Sequence, residues 1–303
     1  MRHLLLILVM LGGISRLVAD EPADISKSNA QVSALPAPVK SYLKQGWLVQ
    51  ETDSFRVFCA PQLPEAPRLP ATCEALRRQL LDTWSVGEPL AWQPRCDIVV
   101  HSTVAGYSRE LGLESRQSSG CATIELSGKQ VKKRRVDLRA DAADWLTTAL
   151  PHELTHVVLA DQFASQQIPR WVDEGIAILA EPASRQAQRR QALQRALTHV
   201  PRLTAQDLMA LRDYPTGARR DLFYGESAAL VAWLVERDSP ARFLEFVQAS
   251  QTQGWQRALT DIYHIESTAE LDRLWQKRGV GTKLTVELYA RRIANITSGL
   301  QLD

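Results

Sequence analysis

Residues 150–159 read Leu-Pro-His-Glu-Leu-Thr-His-Val-Val-Leu, and Glu174, in the run Trp171-Val172-Asp173-Glu174-Gly175, stands eighteen positions beyond the second histidine. Residues four apart on a helix share one face, so His152 and His156 can offer two imidazole nitrogens to one ion. Glu153 lies beside the first of them, within reach of a water on that ion without being a ligand itself. A catalytic zinc site uses three protein ligands and keeps one position open, and Glu174 is the candidate for the third. The flanks agree. Val157-Val158-Leu159 continues as an apolar run, and Glu174 sits inside a second apolar stretch, Trp171 to Leu179. A carboxylate in such surroundings must be paired or bound to a cation. The residues therefore predict one zinc ion held by His152, His156 and Glu174, with Glu153 as the base of a hydrolytic reaction.

The N-terminus has the form of an export leader. Arg2 and His3 precede an apolar stretch from Leu4 to Gly12, and Leu17-Val18-Ala19 then leads into Asp20-Glu21. This is a basic start, an apolar core and a small residue at a cleavage point after Ala19. The expectation is a signal peptide over residues 1–19 and a mature protein that is periplasmic or secreted. The apolar run is short for a bilayer span, and an uncleaved anchor is the competing reading. Cys59, Cys73, Cys96 and Cys121 are dispersed and never spaced as a C-x-x-C pair. In an exported chain an even set of this kind predicts disulfides, here two within the first lobe. The 36 basic and 34 acidic side chains nearly balance, which argues against a nucleic-acid partner. The run Lys132-Lys133-Arg134-Arg135 reads as a solvated turn ahead of a strand.

Composition then divides the chain. Residues 20–46 are rich in Ala, Ser and Pro and read as a linker or lead-in. Strands are predicted at Phe55–Phe58, Asp97–Val100, Ala122–Leu126 and Val136–Leu138, with helices at Ala71–Trp84 and Val104–Leu111. Residues 47–140 should thus form a small mixed sheet with helices packed on it. From Ala142 onward the pattern is helical. Pro151 either opens the metal helix or kinks a longer one. Thr204–Asp207 and Ser267–Glu270 read as capping boxes, and Ser239-Pro240 as a helix start. Gln186 to Leu197, rich in Arg and Gln, reads as an exposed helix or lid carrying no chemistry. The predicted fold class is α+β, with a mostly helical lobe over 141–303 and the metal between the lobes. His101, His199 and His264 have no partner at ligand spacing and are assigned structural or exposed roles.

The two metal motifs, with Tyr224-Gly225-Glu226-Ser227 and the apolar helix Leu230 to Val235 after them, resemble the peptidase MA-like family of zinc metallopeptidases, the gluzincins. Gly254-Trp255, Ala258-Leu259 and Glu270 to Trp275 are similar to its C-terminal helices. The resemblance covers roughly residues 50–280, and only the two metal motifs are highly specific. It implies a zincin-like lobe, zinc on His152, His156 and Glu174, and Glu153 taking a proton from the zinc-bound water and passing it to the leaving amine. It implies that Tyr224 donates to the oxyanion, against the alternative of a packing aromatic. Glu181 would orient a ligand histidine, the competing reading being an exposed acid at a helix end; Asp173 is assigned a supporting rather than a ligating role. From the layout of the family, Val136 to Leu138 would be an edge strand pairing with substrate backbone. No glycine-rich exopeptidase signature is present, so aminopeptidase activity does not carry over.

The leading expectation is therefore an exported zinc peptidase acting on peptides or proteins, with no membrane span in the mature chain. Two competitors stand beside it. One is a catalytically weak peptidase-fold scaffold of the cell envelope; the other is a zinc hydrolase of a non-peptide amide or ester.

Overall fold

Seven strands in the order β1-β6-β7-β5-β4-β3-β2 make one mixed sheet, and almost everything after it is helical. The computed structural model describes residues 3–7 and 40–277, apart from 85 and 87–89. Most of the expected leader and lead-in, the cleavage point and the chain beyond 277 lie outside the described residues. The strands are β1 (His3–Ile7), β2 (Lys40–Lys44), β3 (Trp47–Glu51), β4 (Phe55–Cys59), β5 (Cys96–His101), β6 (Gly120–Ser127) and β7 (Gln130–Arg139). β4 pairs parallel with β5 and β5 with β7; the remaining pairings are antiparallel. The parallel step from β4 to β5 is made by helix α1 (Leu69–Trp84), as a parallel connection requires.

The sequence expectations hold for the elements around β4, α1 and β5, where alternation is clean: β4 buries Phe55, Val57 and Cys59. The lead-in expected to run to Gly46 ends earlier. Residues 40–51 form a β-hairpin, turned at Gln45-Gly46, both at positive φ (50° and 82°), the backbone that a two-residue turn between twisted strands demands. Gln-Gly is a weaker turn signal than Asn-Gly, so the pair went unread. The basic run 132–135 is not a solvated turn but part of β7. Arg134 is buried, donates to the carbonyl of Pro94, pairs with Asp161 and lies 5.2 Å from the Trp92 ring centre.

The expected disulfides do not form. No disulfide joins the four cysteines, all of which are buried, and burial raises the pKa of each, which makes them inert core residues. Cys59, Cys73 and Cys96 belong to the core between the sheet and α1. Cys121 alternates with Ala122 and Ile124, which belong to that core, and so points to the other face of the sheet.

The sheet meets the helical half through α3 (Leu150–Ala160), which packs against β6, β7 and α1. A π-helical turn over Trp145–Ala149 runs directly into α3, and Pro151 falls at the junction, where it supplies no N–H to the continuing helix. Helices α4 (Arg170–Leu179), α5 (Ala183–Ala196), α6 (Ala205–Ala210), α7 (Ala218–Arg237), α8 (Pro240–Gln253), α9 (Trp255–Ala258) and α10 (Thr268–Gln276) complete the lobe. The expected caps are present. Thr204 and Asp207 form a reciprocal box. Ser267 accepts from Glu270, whose carboxylate turns instead to the amide of Glu266. Gly175 permits a close crossing of α4 and α7: a Cβ there would sit 2.5 Å from Val231 Cγ2 and 2.8 Å from the Ser227 carbonyl oxygen. Glycine thus lets α4 and α7 meet backbone to backbone and fixes the depth at which the neighbouring Glu174 is held.

Candidate metal centre

Helix α3 presents His152 and His156 one turn apart, their ring centres 5.1 Å from each other, and α4 presents Glu174 to the same point. Ligating atoms of these three residues lie within 4.8 Å of one another. All three side chains are buried. His152 Nε2, His156 Nε2 and Glu174 Oε2 have no hydrogen-bond partner, and His152 Nε2 stands 3.5 Å from Glu174 Oε2. Buried polar atoms are normally paired. Two imidazole nitrogens and one carboxylate oxygen left unpaired and converging fit a zinc ion, whose preferred donors they are. Helical spacing in the motif brings the histidines together; the antiparallel return of α4 brings in Glu174, which spacing alone cannot place.

The far side of each ligand is tied down. His152 Nδ1 is 2.9 Å from Glu181 Oε1, and His156 Nδ1 is 2.7 Å from Asp173 Oδ1. A carboxylate on Nδ1 fixes the tautomer that leaves Nε2 free to ligate. The alternative of Glu181 as an exposed helix-end acid is thus corrected: it is fully buried. Arg189 of α5 donates to it through Nε at 2.6 Å and through Nη2. Burial opposes the ionised form of Glu181, but Arg189 and His152 outweigh it and hold the carboxyl down to about 2. Burial likewise opposes protonation of His152, yet Glu174 and Glu181 raise its pKa to about 10 before any metal competes.

The role read for α5 changes accordingly. It is helical as expected, but it is not a chemically silent surface element. Gln186 donates to the carbonyls of Leu179 and Glu181 at the end of α4. Leu193 packs where a Cβ on Gly225 of α7 would stand 2.8 Å away. This close contact is what brings Arg189 to Glu181 and over the ring of Tyr224, 5.5 Å from its centre.

Glu153 is fully buried, and neither of its oxygens has a partner. Burial pushes its pKa up to about 7, partly offset by His152 and His156. Strand β6 crosses directly above it: a Cβ on Gly120 would meet Glu153 Cγ at 2.8 Å. Tyr224 lies on α7, buried, with a phenol raised by burial and by the nearby Glu174. The strand beside the site is β6, not the Val136–Leu138 segment. β7 is paired on both sides, to β6 and β5, so it offers no free edge, and the outer edge of β6 carries β1. His101 is buried on Asp137 at 2.7 Å, away from the ligand cluster.

One residue at the site escaped the sequence reading. Tyr214, in the segment between α6 and α7, donates to Glu174 Oε1 at 2.7 Å. It stands forty positions from its partner in an irregular stretch, where no periodicity marks it.

Residues 131–280 match the family model of the peptidase MA superfamily. Over this region the chain is similar to the peptidase MA superfamily. The match takes in β7, both metal motifs, Tyr214, Tyr224 and the C-terminal helices, and it gives this part of the chain a peptidase-like fold. No curated protein matches the chain.

Proposed function

We propose that this chain is an exported zinc peptidase of the peptidase MA superfamily, cleaving peptide bonds with Glu153 as general base. The observation that carries the reading is the buried ligand trio with three converging unpaired atoms, beside a fourth buried carboxylate that ligates nothing. A purely structural zinc site has no need of that fourth group. Zinc bound to His152, His156 and Glu174 would supply a Lewis acid and bring a water's pKa near neutrality. Glu153, buried on the same helix as the two ligand histidines, would take the proton of the attacking water and return it to the leaving amine. Tyr224 would donate to the developing oxyanion, a contact of the kind worth about 3 kcal/mol. Export rests on the N-terminal sequence. Removal of residues 1–19 would free the outer edge of β6, an unpaired strand beside Glu153 along which an extended peptide can add.

The test is elemental analysis of the purified chain together with His156→Ala and Glu153→Gln. The reading expects one zinc per chain, lost in His156→Ala and kept in Glu153→Gln, and cleavage of a peptide library by the wild type alone. A wild type that takes up no supplied zinc would remove the proposal. Zinc uptake with ester or non-peptide amide hydrolysis, and no peptide cleavage, would keep the site and replace the substrate class.

A further inference from the structure

We infer that Tyr214 is a positioning residue that restricts Glu174 to binding zinc through one oxygen; this rests on the zinc reading of the site. Three contacts carry it. The Tyr214 hydroxyl donates to Glu174 Oε1 at 2.7 Å, while Glu174 Oε2 is the buried, unpaired oxygen turned toward His152. The two oxygens of one carboxylate are therefore differentiated, one held and one offered. Arg170 Nη1 lies 3.4 Å from the Tyr214 hydroxyl oxygen and donates to it. A hydroxyl has a single proton, and a cation donating to its oxygen directs that proton outward, to the carboxylate. Finally, the ring cannot drift. Arg170 stacks 4.8 Å from its centre on α4, the helix that also carries Glu174. Phe223 packs edge-on at 6.0 Å, and Tyr224 lies near-parallel at 6.5 Å.

Without that donor, Oε1 is free to rotate onto the metal. A carboxylate bound through both oxygens fills a position that water and substrate need, since a catalytic zinc site keeps one place open. Tyr214 thus preserves the open position by occupying the other oxygen. It also ties the segment between α6 and α7 to Glu174, with its ring layered against that of Tyr224.

The experiment uses Tyr214→Phe, which keeps the ring and removes only the hydroxyl. Zinc affinity is measured by competition with a chromophoric chelator, and the cobalt-substituted protein is examined by visible absorption, whose band intensity falls as coordination rises from four to five. The expected result is zinc binding weakened about tenfold or more, the scale for losing a group that orients a ligand. A weaker, shifted cobalt band and an unchanged melting temperature of the metal-free protein should accompany it. Wild-type affinity together with a wild-type cobalt band would overturn the inference while leaving the metal site intact; a wild type that binds neither metal would overturn the site itself. If metal-free Tyr214→Phe melts well below wild type, Arg170→Met decides. It leaves the phenol in place and removes the cation that aims it: the same change in the cobalt band supports the role, and an unaltered band overturns it.

Discussion

Replacing Glu181 by Gln tests how deeply the support of the metal site is built into the fold. Glutamine keeps the shape and can still accept from His152 Nδ1, but it removes the charge facing Arg189. That guanidinium belongs to a side chain only 14% exposed and pairs with Glu181, itself 0% exposed. Leaving one member of a buried ion pair without its counter-charge costs about 3–5 kcal/mol, and the retained acceptor places this change near the lower end. A domain of this size loses roughly 2–4 °C of melting temperature per kcal/mol, so metal-free Glu181→Gln should melt roughly 6–12 °C below wild type. Arg189→Met should also destabilise, because it strands Glu181 instead. The double variant strands neither group, so the reasoning demands a coupling energy of about 2–3 kcal/mol in a double-mutant cycle, read by denaturant unfolding of the metal-free protein. Zinc binding, by chelator competition, should weaken roughly 10- to 100-fold in Glu181→Gln, since His152 keeps an acceptor but loses the carboxylate charge that raises its basicity as a ligand. Additivity within about 0.5 kcal/mol, joined to an unaltered zinc affinity, would refute the argument that this pair holds the ligand.

Three further outcomes follow. Gly120→Ala places a Cβ 2.8 Å from Glu153 Cγ, 3.1 Å from its Oε1 and 3.2 Å from Ala149 Cβ; peptide-cleavage kcat should fall about tenfold with zinc content unchanged, because a displaced base is costly in rate, and wild-type kcat would show that β6 does not set its position. His152, raised to about 10 in the metal-free protein by Glu174 and Glu181 against the effect of burial, must shed its proton to bind zinc. Zinc affinity should therefore climb with pH, by up to about tenfold per unit between roughly pH 6 and 9, and a flat profile in isothermal titration would contradict it. The sign for folding is the reverse: with its native pKa above the unfolded value, this histidine stabilises the metal-free protein fully below about pH 6.5, and that contribution is lost as pH rises through about 10.

The sequence by itself pointed to His152, Glu153, His156 and Glu174 as one candidate cluster and set the α+β division. His152, Glu153 and His156 sit on one helix, where a fixed period converts spacing into geometry, and the apolar setting of Glu174 marked a carboxylate in need of a cation. Alternation located β4 and β5 for the same reason, a local rule acting on a local stretch. Tertiary structure decided what depends on which elements meet. Four cysteines and an export leader suggested disulfides, but the fold buries all four without a disulfide and turns Cys121 to the opposite face of the sheet from the others. The lysine- and arginine-rich run 132–135 resembled a turn until the sheet order placed it between two neighbours, with Arg134 packed against Trp92. Helix α5 looked solvated because most of its side chains are; its one decisive residue, Arg189, is aimed at Glu181 only because Gly225 admits Leu193 so closely. Tyr214 carries no periodic or spacing signal, and its bond to Glu174 exists because the segment before α7 folds back over α4. Local rules fix what a short segment can become. The choice of which segments touch is a property of the whole packed chain, and at this site that choice holds His152, His156 and Glu174 in place.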